Sequence, residues 1–290
     1  LQHADWTNRA LTATTPGSIF KTVVAAAALE KGVAKPNEKF YCSGDYGKYK
    51  FKCWNPSGHG WLTFREAYAL SCNITFAQVM QRLSPEDVSM MAERLGLTQP
   101  IGWTADLHGE RFAQLDAEEA GRVFVSDAYR QDEGVRLQTA IGQRDVVISP
   151  LQAANLVVTI LGGGDVKRPR IVSKVQYKDG GVKEKFPEQR LQVKAFSART
   201  ASQLRHWMKD TVRYGTGSSL KQKKWQAAGK TGTAQVLLNG REGENQWFIG
   251  YGPVEQPQYA VSVLVQGNDL AQGQATELFD EVLQILAESG

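Results

Sequence analysis

The stretch Pro16-Gly17-Ser18-Ile19-Phe20-Lys21-Thr22-Val23-Val24-Ala25-Ala26-Ala27-Ala28-Leu29-Glu30-Lys31-Gly32 decides how the rest of the chain is read. Pro16 and Gly17 force a turn, Gly32 can end a helix, and no breaker stands between them, so a helix from Ser18 to about Lys31 is expected. Alanines 25 to 28 present almost no side-chain bulk. Such a helix can pack closely against a sheet or other helices, which makes it a central element rather than a surface one.

Working outward, residues 36 to 62 are rich in Gly, Pro, Tyr and Lys and read as loop or short hairpin. Thr63 to Leu70 and Ile74 to Leu83 are helix-like on either side of Ser71-Cys72-Asn73. Ser84-Pro85-Glu86-Asp87 has capping-box spacing for a helix that should stop near Gly96. Residues 98 to 136 are weakly periodic and read as irregular. Ser149-Pro150 opens a helix to about Leu161, closed by Gly162-Gly163-Gly164. A hairpin around Asp179-Gly180 is expected between Ile171 and Phe186, then a helix from Ser197 to about Tyr214. Ala228 to Leu238, Gln246 to Gly252 and Gln258 to Val265 read as adjacent antiparallel strands, and Leu270 to Glu288 as a closing helix.

The 290 residues allow one large domain or two small ones, at roughly 150 residues per domain. Apolar residues at 42% and charged residues at 22% exclude disorder, collagen and coiled coil. The net charge of +4, with no long basic run, argues against nucleic-acid binding. The longest apolar run, Val23 to Leu29, has seven residues against the roughly 20 of a membrane span. Leu1 does not begin a secretory signal either, so the chain is cytosolic or an export segment lies upstream. Cysteines 42, 53 and 72 fit neither a disulfide framework nor paired CxxC zinc spacing and read as buried thiols, with a Cys42–Cys53 bridge left open. Histidines 3, 59, 108 and 206 are too scattered to suggest a metal site, and no cofactor or metal is expected.

Three short segments can carry chemistry. Ser18 and Lys21, three apart at a helix start, share one face, so a nucleophile stands beside a base. The lysine acts as base only if burial or other cations lower its pKa from about 10.4, and the helix N-terminus offers N–H groups for an oxyanion. Ser218-Ser219-Leu220-Lys221 repeats the spacing in a loop, and Ser18 is preferred because an apolar helix follows it. Taken alone, Ser18 reads as a helix cap, and so does Ser71. With Ser18 and Lys21, however, Ser71 could relay a proton while the Asn73 amide positions a substrate carbonyl or Lys21 itself. Lys230-Thr231-Gly232-Thr233 suits a carboxylate, and Gly232 leaves room for a substrate backbone along the strand edge; the bland alternative is a solvated strand.

The ordered set SxxK, S-x-N and K-T-G, with the second and third members 53 and 212 residues after Ser18, resembles the penicillin-binding protein transpeptidases. Flanking segments resemble the monofunctional class B branch: Asn8-Arg9-Ala10-Leu11, Gly142-Gln143 followed by Ser149-Pro150-Leu151-Gln152, Ala228 to Gln235, and Trp247-Phe248-Ile249-Gly250-Tyr251. Arg144 departs from the pattern where the family usually has glycine.

The resemblance implies a mixed α/β fold with an antiparallel sheet flanked by helices plus an all-helical lobe, as in the serine β-lactamases. The helical lobe would cover roughly 33–196 and the α/β lobe roughly 1–32 and 197–290 of a single transpeptidase domain. It further implies that Ser18 attacks the D-alanyl-D-alanine bond of a peptidoglycan stem peptide and that an amine from a neighbouring stem resolves the acyl-enzyme. D,D-carboxypeptidase activity would be a side reaction, and β-lactams would acylate the same serine. Lys21 would be the base, Ser71 the proton relay and Asn73 the holder of the acyl-side amide. Lys230, Thr231 and Thr233, with room left by Gly232, would bind the terminal carboxylate, and the N–H groups of Ser18 and Thr233 would form the oxyanion hole.

Since the family's α/β part begins with two strands before the motif serine and only 17 residues precede Ser18, further strands, a pedestal domain and a membrane anchor are expected upstream. That places the site on the extracytoplasmic face of a bacterial membrane, with cell-wall synthesis or division proteins as partners. The rivals are a serine β-lactamase, a β-lactam sensor and a partner-binding scaffold. Class A lactamases carry a Glu-x-x-x-Asn segment, absent from this chain, and class D enzymes an apolar residue where Asn73 stands.

Overall fold

Gly17 adopts φ +56°, a conformation that glycine tolerates best, and so directs the chain into a 3-10 turn, Gly17–Phe20, that runs straight into helix α1, Lys21–Lys31. The computed structural model describes residues 7–107, 109–238 and 240–289. Gly32 closes α1 in the left-handed conformation, with its N–H on the Ala28 and Leu29 carbonyls. Every residue from Lys21 to Ala28 is buried, which is the signature of a helix enclosed on all sides. Helices from both flanks of the chain pack on it, as the alanine methyls allow.

The segment 36 to 62 forms two small ladders. Strand β1 (Lys39–Cys42) encloses the hairpin β2 (Asp45–Tyr46) and β3 (Phe51–Lys52) and pairs with β4 (Gly60–Thr63). Helix α2 (Phe64–Ala69) starts from a capping box between Thr63 and Glu66, and α3 (Asn73–Arg82) from the Cys72 thiol. Helix α4 (Pro85–Arg94) has the expected Ser84–Asp87 box.

The irregular reading of 98 to 136 is overturned. This segment holds the hairpin β5 (Thr104–Leu107) and β6 (Glu110–Ala113), then α5 (Asp127–Gln131) and α6 (Glu133–Ala140). All of β6 is exposed and α5 buries nothing, so neither carries the apolar alternation that a sequence reading needs. Helix α7 (Pro150–Leu161) follows, capped by the Ser149–Gln152 box. Next come β7 (Val166–Lys167), the expected hairpin β8 (Lys174–Gln176) and β9 (Val182–Lys185), and β10 (Arg190–Gln192), which pairs back to β7.

Helix α8 (Ala198–Arg213) leads into the main antiparallel sheet: β11 (Ala228–Leu238), β12 (Arg241–Gly252) and β13 (Tyr259–Gly267), in that spatial order. Helix α9 (Gln274–Ser289) closes the described chain. Trp247, Ile249 and Tyr251 of β12 face the large core shared with α1, α7 and α8, while Phe248 faces Phe279 and Leu283 of α9. The sheet is thus covered on both faces, and β12 reads as continuously buried from Asn245 to Gly252. Strand β11 is an edge, and the Ser18 turn packs against it.

Candidate active site

Two glycines bring the Ser18 turn and β11 into backbone contact. A Cβ on Gly17 would lie 2.2 Å from the Thr233 carbonyl oxygen, and one on Gly232 2.8 Å from that of Pro16. Only hydrogen at both positions permits this approach. Gly142 anchors the turn from the other side, accepting from the Gly17 N–H at 2.9 Å.

Ser71 occupies the break between α2 and α3 at φ +54°, a strained setting for serine that costs of order 1 kcal/mol. The break places its hydroxyl between two lysines, 3.2 Å from Lys21 Nζ and 3.0 Å from Lys230 Nζ. Lys21 Nζ also lies 3.1 Å from Ser18 Oγ and donates to Ser71 O and Asn73 Oδ1, both at 2.7 Å. Ser18, Lys21, Ser71, Asn73 and Lys230, drawn from three distant segments, therefore meet in one hydrogen-bonded group.

Both lysines are fully buried. Burial brings the Lys21 pKa from 10.5 to about 8 against the opposing pull of the Cys72 and Cys53 sulfurs. For Lys230, burial and then the neighbouring Lys21 charge push it well down. A neutral Lys21 amine has two hydrogens and one lone pair. The hydrogens match the short contacts to Ser71 O and Asn73 Oδ1, which leaves the lone pair for the Ser18 hydroxyl proton. That arrangement can activate a nucleophile.

Asn73 is held at both ends, since its Nδ2 donates to Lys52 O at 3.0 Å. Lys230 Nζ donates to Thr231 O at 2.9 Å besides its contact with Ser71, so its amine lies beneath the strand rather than in the cleft. Thr231 is half-buried and Thr233 exposed, two residues apart on the face that Lys230 does not take. Sequence reasoning missed Thr216, whose hydroxyl is hydrogen-bonded to that of Thr231. Its signal was the flanking pair Gly215 and Gly217: a Cβ on Gly215 would strike the Ala69 carbonyl at 2.2 Å, and the Thr216 N–H bonds the same carbonyl at 3.1 Å.

The competing Ser218-Lys221 pair lies at a 3-10 turn, Ser218–Leu220, packed between α8 and α9, with Lys221 exposed. Burial of the lysine, the helix that follows and the bonds to Ser71 and Asn73 separate Ser18-Lys21 from it. In front of Asn73 opens a cleft of about 680 Å³ lined by Lys52, Trp54, Gln143, Arg144 and Gln235 among others. Arg144 takes φ +63° there, the conformation that glycine would adopt freely, and its guanidinium stacks over Tyr129 at 5.2 Å.

Behind the Ser71–Asn73 break lies a second group. Cys42, Cys53 and Cys72 are free thiols, and their sulfurs and a His59 ring nitrogen all fall within 4.8 Å of one another. No Cys42–Cys53 bridge is formed, and the sequence reading of the histidines as scattered missed His59. His3 and His108 lie outside the described residues, and His206 sits exposed on α8.

Residues 2–284 match the family model of the penicillin binding protein transpeptidase domain. The chain is 32% identical over 260 residues to stage V sporulation protein D of Bacillus subtilis, covering 86% of this chain and 38% of that protein. It is 29% identical over 273 residues to the peptidoglycan D,D-transpeptidase PbpA of Mycobacterium tuberculosis, covering 90% of this chain and 51% of the relative. The chain thus spans about half, or less, of the length of these curated relatives. Among solved structures, the ceftriaxone acyl-enzyme complex of penicillin-binding protein A from M. tuberculosis superposes with TM-score 0.79 at 27% identity, over 97% of this chain and 62% of that one. The D,D-transpeptidase domain of an Eggerthella lenta peptidoglycan glycosyltransferase shares the fold with TM-score 0.83 at 24% identity, over 98% and 67% of the two chains.

Proposed function

The chain belongs to the penicillin-binding protein transpeptidase domain family, and from that premise we propose that it is a serine D,D-transpeptidase of the class B kind, cross-linking peptidoglycan stem peptides and acylated by β-lactams. The observation that carries this reading is the fully buried Lys21 amine 3.1 Å from Ser18 Oγ, with its other hydrogen bonds satisfied by Ser71 and Asn73.

In this reading Ser18 Oγ attacks the carbonyl between the two terminal D-alanines as its proton passes to Lys21 Nζ. The oxyanion forms against the N–H groups of Ser18 and Thr233, whose backbones Gly17 and Gly232 hold together. Ser71, bonded to both lysines, hands a proton to the departing D-alanine amine as the C–N bond breaks. An acceptor amine then attacks the acyl ester and returns a proton through the same group; water in its place would give the carboxypeptidase side reaction. Thr231, hydrogen-bonded to Thr216, and Thr233 take the terminal carboxylate, with the Lys230 amine beneath the strand. The free outer edge of β11 offers backbone groups to an extended peptide. Asn73 positions Lys21 through Oδ1 and keeps one Nδ2 hydrogen for the acyl-side amide.

A β-lactam follows the first half of this path, but its ring-opened amine stays attached, so the acyl-enzyme persists. Two lobes meeting at this cleft, an extracytoplasmic placement and cell-wall synthesis partners belong to the same proposal. In its favour, penicillin-binding protein 2 from Helicobacter pylori, solved in complex with MreC, superposes with TM-score 0.79 at 25% identity. Among the described residues no helix is long and apolar enough to cross a membrane.

Intact-mass measurement after penicillin treatment tests the reading. The wild type and Ser218→Ala are expected to gain one stable adduct and Ser18→Ala none; rapid release of the adduct would indicate a lactamase. Exchange of an added D-amino acid into a model stem peptide separates the transpeptidase from a sensor, which would be acylated without exchanging.

A further inference from the structure

The cleft of about 680 Å³ in front of Asn73 is lined by three cations, Lys50, Lys52 and Arg144, and by no carboxylate among the described residues. The side-chain amines of Lys50 and Lys52 form no ion pair or hydrogen bond with any described residue. Arg144 Nε reaches Asp145 Oδ1 only at 4.0 Å, and its guanidinium rests over the Tyr129 ring at 5.2 Å, so both terminal nitrogens stay available. Lys50 and Arg144 also take φ +50° and +63°, left-handed backbone that glycine would adopt without strain. Two strained positions thus present charge to one cavity.

We infer that this cavity is the subsite for a side-chain carboxylate on the donor stem peptide, carried by the residue immediately before the D-alanyl-D-alanine pair, with Arg144 as its specificity-determining partner. The inference rests on the transpeptidase reading proposed above. In that reading Asn73 holds the acyl-side amide, the bond that joins the preceding residue to D-alanine, so the side chain of that residue starts beside Asn73 and the cavity it lines. A guanidinium takes a carboxylate through two parallel N–H···O bonds, and an ammonium adds a point charge. Lys52 contributes twice, fixing the Asn73 amide with its carbonyl at 3.0 Å and lining the cavity with its side chain.

Strand direction leads the peptide to the same place. A chain pairing antiparallel with the β11 edge, its terminal carboxylate at Thr231 and Thr233, runs its earlier residues toward Gln235, at about 3.4 Å per residue. Gln235 lines the cationic cavity and also a second one, of about 660 Å³, at the β11–β12 hairpin. That second cavity is lined by Glu242, Glu244 and Asp269 without a cation, so it repels the carboxylate that the first attracts. The sign of charge changes across Gln235 and assigns an anionic side chain to the Asn73 side. Trp54 is 57% exposed and tied by its Nε1–H to Leu70 O at 3.0 Å. It gives the cavity an apolar wall for the methylenes that carry the carboxylate.

Three thioester probes test the inference on the whole chain: Nα-acetyl-X-D-alanyl-thioglycolate, with X as 2-aminoadipate, its side-chain amide or lysine, followed by loss of thioester absorbance. The kcat/KM for the carboxylate probe should exceed that for the isosteric amide about tenfold, with the lysine probe slowest. Arg144→Gly, which suits the φ +63° backbone, and Lys52→Gln should each bring the carboxylate-to-amide ratio to within about threefold. Lys221→Gln, which removes an equal charge outside the cavity, should leave the ratio at the wild-type value, and added salt should shrink it. Because the ratio is read within each variant, partial unfolding does not alter it. Equal wild-type rates on the carboxylate and amide probes, or no turnover of any probe, beside a normal penicillin adduct would overturn this inference alone. A ratio kept in both Arg144→Gly and Lys52→Gln would do the same. Absence of the penicillin adduct as well would overturn the transpeptidase reading and the inference with it.

Discussion

Burial of Lys21 brings its pKa to about 8, and with Lys21 as the proposed base that displacement would set the pH range in which Ser18 is activated. At pH 7 a group titrating near 8 is about 10% neutral, whereas one at the ordinary value near 10.4 is neutral in fewer than about one molecule in a thousand. The base form grows as pH rises through the folded value. The penicillin acylation rate should therefore climb about tenfold per unit from pH 5 to 7 and level off above about 8, in stopped-flow or quenched mass measurements. Lys21→Arg, protonated throughout, should lose about a thousandfold in rate and the pH dependence with it. A flat profile in the wild type would remove Lys21 from the role of base. Ser18 and Lys21 were legible as candidates from the ordered set of three motifs, since their spacing recurs at Ser218 and Lys221, but the amine's protonation was not, because desolvation depends on what other segments lay over it. Thr216 escaped notice for a related reason: a lone threonine between glycines acquires meaning only once Ala69 and Thr231 are beside it.

Among the elements, the junction of the Ser18 turn with β11 is where small changes matter most. Gly17→Ala would meet both the φ +56° backbone and the Thr233 carbonyl, so the turn must move away from the strand. About 2–3 kcal/mol of destabilisation is expected in chemical denaturation. Acylation should fall at least about a hundredfold in the fraction that remains folded, since the oxyanion donors separate. Gly232→Ala, opposed by the Pro16 carbonyl and the Ile19 side chain, should follow the same course more mildly. Near-normal acylation in Gly17→Ala would detach the turn-to-strand contact from catalysis. Helices α2, α4 and α7 could be located in advance because their caps lie within a few residues of each other: Thr63 with Glu66, Ser84 with Asp87, and Ser149 with Gln152. The hairpin β5–β6 and helix α5 could not, since neither shows a buried face to write a pattern into the chain.

For the molecule as a whole, the main sheet is a plate clamped between α9 on one side and α1, α7 and α8 on the other, with the proposed site at its β11 edge. Phe279 is fully buried, 4.5 Å from the Phe248 ring, on the layer remote from Ser18. Phe279→Ala should cost about 3–4 kcal/mol and lower Tm by roughly 10 °C in calorimetry. Its acylation rate per folded molecule should stay within about twofold of wild type, because additivity holds for sites without shared contacts. A large loss of rate would mean that the α9 layer positions the cleft. By itself the order of residues determined which side chains are candidates for the chemistry and where most helices begin, since capping boxes, glycine stops and motif spacings act over a few positions. Tertiary structure alone decided that Ser18, Ser71 and Lys230 share one site, that both lysines are stripped of water, and that three cysteines gather around His59. Those outcomes depend on contacts between segments far apart in the chain, and no local pattern encodes the burial or distance that such contacts create.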